Sequence, residues 1–217
     1  MQSVVQRTGG LTLLEGGMGI WRVIVPGVLV FSCVSVDLLL EIVSKRTISG
    51  HIVDNLGHGM IAFVSYAVFT LWQKPQSTWK RAWIHSFVAG ICSCAMDLDH
   101  FIAAGSFRID AATNLKKRPF AHAFAFIAVM CVFVWIQSAG NTKVVRFQRV
   151  ALLWIALSSH QLRDAVRHGV WLWPFGSTPP IPYALYLFIQ VLLPLSIARA
   201  QAYLHLFDSK VEKALII

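Results

Sequence analysis

The chain has 217 residues, of which 56% are hydrophobic and only 13% charged. A soluble domain carries about 25% charged residues, so composition excludes an ordinary soluble protein and points to one integral membrane domain. The net charge of +9 does not mark a nucleic-acid partner. Its bases are scattered through short connections between apolar runs, which suits anionic headgroups and topology control, and no nucleic-acid motif is visible.

In chain order, Arg7 is followed by an apolar run from Val23 to Val36. Asp37 and Glu41 come directly after it and no small-x-small cleavage site is evident, so the run is expected to stay as a first span. Six apolar segments can be drawn, at 19–43, 57–73, 82–104, 120–137, 149–172 and 181–204. Each is near the ~20 residues that a helix needs to cross a bilayer. SKRTISG, QKPQSTWK, FRIDAATNLKKRP, SAGNTKVVRFQ and PFGSTPPIP separate them.

The expected fold is therefore all-α, a polytopic membrane helix bundle with about six transmembrane helices. A tail at 1–18 precedes the membrane domain at 19–204, and another tail occupies 205–217. Trp72, Trp79, Trp83, Trp135, Trp171 and Trp173 fall near span ends, where such rings anchor in the headgroup layer. Cys33, Cys92, Cys94 and Cys131 lie within apolar runs and read as small hydrophobes.

Six spans put both termini on one side. That side holds Arg7, Lys74, Lys80, Arg81, Lys143, Arg146, Arg149, Lys210 and Lys213; the other holds Lys45, Arg46, Arg108, Lys116, Lys117 and Arg118. The bias favours cytosolic termini.

The residues that do not belong in a span carry the functional signal. His160, Asp164 and His168 recur every four residues in SSHQLRDAVRHGVWLWPFG, which stacks them along one helix face with about 40° between steps. An Asp at a bilayer centre costs roughly 2.5–3.5 kcal/mol on insertion scales, so such a group is a functional hypothesis by default. His58 opens the second segment, MDLDH (96–100) closes the third and His122 opens the fourth. With alternating span directions all of these fall toward the membrane face opposite the termini, as do Asp37 and Glu41.

Within MDLDH, Asp97 and His100 share a helical face. Asp99 points away on a continuous helix and joins them only if the helix unwinds, so it ranks below them as a ligand. His58 and His122 enter through their position beside the others, whereas His51 and His85 read as surface or interface residues. Asp37 and Glu41 either orient a ligating imidazole or pair with a neighbouring Arg.

The ordered pieces resemble the bacterial inner-membrane-associated metal-dependent hydrolases of the LexA-regulated type. The matching residues are Asp97, Asp99 and His100; Arg118 and His122; His160 and Asp164; and Trp173, Pro174 and Phe175, within about residues 58–180. Where that family has His-Arg-Gly-x-Thr-His-Ser, this chain reads KRPFAHA: Lys117 replaces the first His, Pro119 the Gly, and Ala121 and Ala123 the Thr and Ser. DLDHFIAAGSF, KRPFAH, SSHQLRDAVRHGVWLWPFG and the following P-x-P-x-x-x-Y also resemble the eukaryotic transmembrane protein 267 family, which implies a multi-pass membrane protein.

Two readings of function follow. In the first, His58, Asp97, His100, His122, His160, Asp164 and His168 supply ligands for a divalent metal, Zn²⁺ before Mn²⁺ or Fe. Asp97 or Asp99 then acts as general base, and Arg118, Arg163 and Arg167 suit an anionic group such as the phosphate of a membrane lipid. In the second, the same cluster is a non-catalytic, charge-paired network that fixes helix packing. A transporter is a third, less favoured reading, because the groups gather at one face and no broken-helix repeat is evident.

Overall fold

The computed structural model describes residues 9–43, 47–73 and 79–215, with side chains at 23–43, 47–73 and 79–204. Lys45, Arg46 and Lys74, and the side chains of Arg7, Lys210 and Lys213, lie outside this set, so much of the expected charge bias falls outside the described residues.

The helices are α1 (Gly9–Val43), α2 (Ile48–Trp72), α3 (Trp79–Met96), α4 (Leu98–Ala104), α5 (Ile109–Thr113), α6 (Phe124–Gln137), α7 (Lys143–His168) and α8 (Tyr183–Leu215). A 3₁₀ turn at Phe120–His122 precedes α6. Helix thus extends into both segments expected as tails. Among the described residues there is no strand beyond an isolated bridge between Trp171 and Ser177. Buried backbone polar groups in a bilayer must be satisfied within the chain, which helices achieve.

Among the described residues, four helical stretches are long and apolar enough to cross a membrane: Val23–Val43, Ile48–Trp72, Trp79–Ala104 and Tyr183–Leu204. Helix α6 is apolar but shorter, at 14 residues. The fifth expected span, α7, lacks that uniform apolarity because its second half turns His160, Gln161 and Arg163 inward. Polar residues there face protein rather than lipid.

At the centre of the bundle α2 packs against α1, α3, α7 and α8, and α7 against α2, α3, α6 and α8. Tyr66, Phe69, Ala89, Ala151, Ile155, Ala156 and Ala198 join α2, α3, α7 and α8. Leu29, Cys33, Ile61, Val68 and Tyr186 seal α1 and α8 onto α2. Outward-facing Phe31, Ile42, Phe87, Ile91 and Val129 are exposed, as expected of a surface in contact with lipid tails. Trp79, Trp83 and Trp173 are exposed too. Cys33 and Cys131 are buried free thiols, and Cys92 and Cys94 are half-buried ones.

Of the boundaries that differ from the sequence expectation, three shape the site. Helix α2 begins at Ile48 rather than residue 57, because the Thr47 hydroxyl caps it by accepting from Gly50 N at 3.0 Å. That extension brings Asp54 and Asn55 onto the helix. The third segment breaks at Asp97, where Asp97 N donates to Cys94 O at 3.3 Å in a tighter turn and α4 restarts at Leu98. Helix α7 stops at His168 because Gly169 takes φ +70°. Any Cβ there would strike the Thr178 carbonyl.

Glycines also let α2 and α3 approach closely. A Cβ at Gly90 would stand 2.9 Å from Gly59 O, a backbone atom with nowhere to move. Gly90→Ala is therefore expected to push α3 off α2 and lower stability by about 1–3 kcal/mol. Thermal unfolding of detergent-solubilised protein checks this, and an unchanged midpoint would show that the helices are not in contact here.

Candidate metal centre

Five places in the fold deliver the site. Helix α2 carries His58, the α3–α4 break carries Asp97, α4 carries His100, the 3₁₀ turn carries His122, and α7 carries His160 and Asp164. The ligand atoms fall into two groups, His58 with His160 and Asp164, and Asp97 with His100 and His122; within each they lie within 4.8 Å of one another.

The two groups meet through an alternating quartet. His122 Nε2 lies 3.5 Å from both Asp97 Oδ1 and Asp164 Oδ2. His160 Nε2 lies 3.4 Å from Asp97 Oδ1 and 3.5 Å from Asp164 Oδ2. Four such edges, each joining an imidazole nitrogen to a carboxylate oxygen, are of the length found between neighbouring ligands of a zinc-sized ion. His58 Nε2 flanks the quartet at 3.5 Å from Asp164 Oδ1. On the other side His100 Nδ1 lies 3.7 Å from Asp97 Oδ1.

Both quartet nitrogens, His122 Nε2 and His160 Nε2, are buried and lack a hydrogen-bond partner. An orphaned buried imidazole nitrogen is costly unless something else satisfies it. Their opposite nitrogens are engaged. His160 Nδ1 donates to Ser93 O at 3.0 Å, and His122 Nδ1 pairs with Asp99 Oδ2 at 3.3 Å. With Nδ1 as donor, each Nε2 keeps its lone pair for the centre, the arrangement that orients metal-binding histidines.

The carboxylates are divided in the same way. Asp97 Oδ2 accepts from Asn55 Nδ2 at 2.8 Å, which leaves Oδ1 facing the imidazoles. Asp164 Oδ1 accepts from Arg167 at 2.6 Å, which leaves Oδ2 facing them. Asp99 Oδ2 also accepts from Ala121 N at 2.7 Å, fixing the loop that carries His122. Gln161 Nε2 donates to the His122 carbonyl. The imidazoles of His58 and His160 stack at 3.8 Å.

Behind this shell runs a chain of ion pairs. Arg163 contacts Asp37 at 2.9 Å and Asp54 at 2.6 Å, and Arg167 contacts Asp54 at 2.8 Å. Tyr183 Oη donates to Asp37 at 3.0 Å. Asp37, Asp54 and Asp164 thus meet two guanidiniums, Arg163 and Arg167, while Asp97 and Asp99 face only imidazoles among the charged side chains described. With the imidazoles neutral, as ligation requires, the carboxylates outnumber the guanidiniums, and the mixed nitrogen and oxygen donor set fits a divalent cation.

Of the residues singled out from sequence, His58, Asp97, His100, His122, His160 and Asp164 come together. The break at Asp97 brings Asp99 in as well, buried against His122, where a continuous helix would have turned it away. His168 ends α7, exposed on the rim of the cavity and outside both ligand groups. Arg163 is 3% exposed and lies behind the shell. Arg118 is held at the rim, donating to the carbonyls of His168 and Gly169 and to the Ser177 hydroxyl. Asp37 pairs with Arg163, one of the two roles expected for it, and Glu41 is exposed.

Sequence reasoning missed Asp54, Asn55, Ser93 and Gln161. Asp54 carried a readable signal, since it stands four residues before His58 just as His160 stands four before Asp164. Starting the second segment at residue 57 discarded it. Asn55 and Gln161 are ordinary amides in sequence, and Ser93 acts through its carbonyl, which no residue type announces.

Residues 53–214 match the family model described as YdjM inner membrane protein. Transmembrane protein 267 of Danio rerio is 38% identical over 145 residues, which cover 65% of this chain and 62% of that protein. Transmembrane protein 267 of Mus musculus is 34% identical over 167 residues, 75% of this chain and 74% of its own length. The match thus spans less than two thirds of the Danio rerio protein. No solved structure matches the chain. With four helices able to cross a bilayer, the chain is an integral membrane protein that belongs to the YdjM inner membrane protein family and, within the reach of these alignments, to the transmembrane protein 267 family.

Proposed function

We propose that this multi-pass protein, its termini in the cytosol, is a metal-dependent hydrolase of a phosphorylated lipid. The observation that supports the reading is the quartet of His122, His160, Asp97 and Asp164, with two orphaned Nε2 atoms and edges of 3.4–3.5 Å. Zn²⁺ is the first candidate; His122, His160 and Asp164 would hold it, with Asp97 Oδ1 facing the position left for water and His58 and His100 in reach of a second ion. A bound divalent ion supplies Lewis acidity and lowers the pKa of water to about 7.

The chain's own residues set up the rest. Hydrolysis forms a bond from a water oxygen to phosphorus and breaks the bond to the lipid alcohol, which leaves with a proton. Asp97, on the cavity wall, is placed to accept the water's proton. Asp99 is a positioning residue, because its Oδ2 is taken by His122 and Ala121 N and its buried Oδ1 lies 3.2 Å from His100 Nδ1. Lys116, Lys117 and Arg167 line the same cavity and hold the anionic group, with Arg118 tied to the His168 and Gly169 carbonyls at its rim.

Metal analysis of purified protein, followed by turnover of a phosphorylated lipid, tests the reading. Stoichiometric divalent metal and turnover lost on chelation are expected; metal-free, folded protein would overturn it. Asp99→Ala should weaken metal binding about 10–100-fold by freeing the His122 ring, as read by titration with Zn²⁺. A second reading, a non-catalytic network that fixes helix packing, is favoured by the ion pairs tying Asp37 of α1 and Asp54 of α2 to Arg163 of α7. Under it the folded protein carries no metal, or carries metal without turnover.

A further inference from the structure

The candidate centre opens into two adjoining cavities of opposite character. A chamber of about 460 Å³ is lined by His58, His122 and Asp164 on one side and by Lys116, Lys117 and Arg118 on the other. A groove of about 580 Å³ between α2, α3 and α4 is lined by Ile52, Leu56, Ile91, Leu98, Phe101 and Ile109. Both volumes fall within the usual range of small-molecule sites, roughly 300–1,000 Å³. The two share His51, Asp54, Asp97, His100, Ala112 and Thr113, so the groove ends at the ligand cluster.

Two further observations fix what such a pair of cavities accepts. Ile52, Leu56, Ile91 and Leu98 are 54%, 61%, 53% and 58% exposed on helices long enough to cross the bilayer. The groove therefore faces lipid tails along its side. The segment from α5 to the 3₁₀ turn borders both cavities, and its polarity changes along its length. Ile109 faces the groove, Ala112 and Thr113 border both cavities, and Lys116, Lys117 and Arg118 face the chamber. Lys116 and Lys117 are exposed there and stand outside the ion-pair chain described above.

We propose that chamber and groove form one amphiphile site, entered sideways from the bilayer, with an anionic phosphate head in the chamber and one hydrocarbon chain along the groove. The inference deepens the hydrolase reading, on which the choice of phosphate as the head rests. A water-soluble phosphate ester would use the chamber and leave the apolar groove without a role. A lipid chain fills the groove and brings the head within reach of Asp97 and His100, which stand where the two cavities join.

Hexadecyl phosphate and inorganic phosphate are the probes, with binding to the full chain in phosphatidylcholine nanodiscs measured alongside metal content. Wild-type protein should bind hexadecyl phosphate at least about tenfold more tightly than inorganic phosphate, since burying the chain adds apolar contact. Ala95→Trp places a ring in the groove, which Ala95 lines. It should cost hexadecyl phosphate about tenfold and leave inorganic phosphate and metal content unchanged. Leu98→Gln, at an exposed position on the same wall, should act in the same direction if Ala95→Trp does not fold. The double variant Lys116→Glu/Lys117→Glu should weaken both probes.

Equal binding of the two probes, or hexadecyl phosphate binding untouched by both groove variants, would overturn the amphiphile site. Metal-free protein that still binds hexadecyl phosphate through groove and chamber would sink the hydrolase reading and leave the amphiphile site supported.

Discussion

His160→Ala should yield a folded protein whose affinity for Zn²⁺ has fallen more than about a hundredfold. Removing a residue that merely orients a ligand typically costs 10–100-fold, and His160 is placed to be a ligand itself. Its Nε2 faces both Asp97 Oδ1 and Asp164 Oδ2, and no protein group satisfies it. Asp164→Asn should act similarly, because it removes the charge from Oδ2 while keeping the shape that packs beside Arg167. Zn²⁺ titration with metal analysis reads the loss, and thermal unfolding shows whether the fold persists. Full metal content in both folded variants would place the ion elsewhere or nowhere.

The largest stability effect is expected at Arg163. Its guanidinium is buried between Asp37 and Asp54, at 2.9 and 2.6 Å, and also donates to the Asp54 carbonyl at 3.2 Å. Arg163→Ala leaves two carboxylates without that partner, and breaking a buried pair in this way typically costs about 3–5 kcal/mol. Gly57 lets α1 and α2 close over this pair, since a Cβ there would collide with the Val36 side chain. Arg163→Lys should fall between wild type and Ala, because it restores charge without the planar fork. A loss under about 1 kcal/mol for Arg163→Ala, the level of a solvent-exposed pair, would mean that water reaches the network. Unfolding in detergent, followed by circular dichroism, measures the difference.

Helical periodicity explains what sequence reading captured in α7. Four-residue spacing places His160 and Asp164 on one face wherever the helix sits, and both turn inward beside His58 and His122. The same rule extended to His168 did not bring it to the cluster, because Gly169 ends the helix and leaves that side chain on the rim. At MDLDH periodicity ranked Asp99 last. The break at Asp97 altered the phase by which side chains are counted, and Asp99 became the partner of His122. The three arginines diverge for a related reason. Their residue type suits phosphate, but Arg163 is buried by carboxylates from α1 and α2, Arg118 is clamped by backbone carbonyls, and Arg167 both pairs with Asp164 and reaches the chamber wall.

Composition and apolar run length alone determined that this is an all-α membrane protein, because a chain with 13% charge and long apolar stretches can bury its backbone only as helices. Spacing alone picked out most of the histidines and aspartates that meet. Only the tertiary structure decided which atom of each carboxylate faces inward, which arginines are consumed by Asp37 and Asp54, and that an exposed apolar groove runs up to Asp97. Those features depend on contacts between residues more than a hundred positions apart, such as Asp37 with Arg163. Local sequence fixes the face on which a side chain stands; the packing of helices fixes what it meets there.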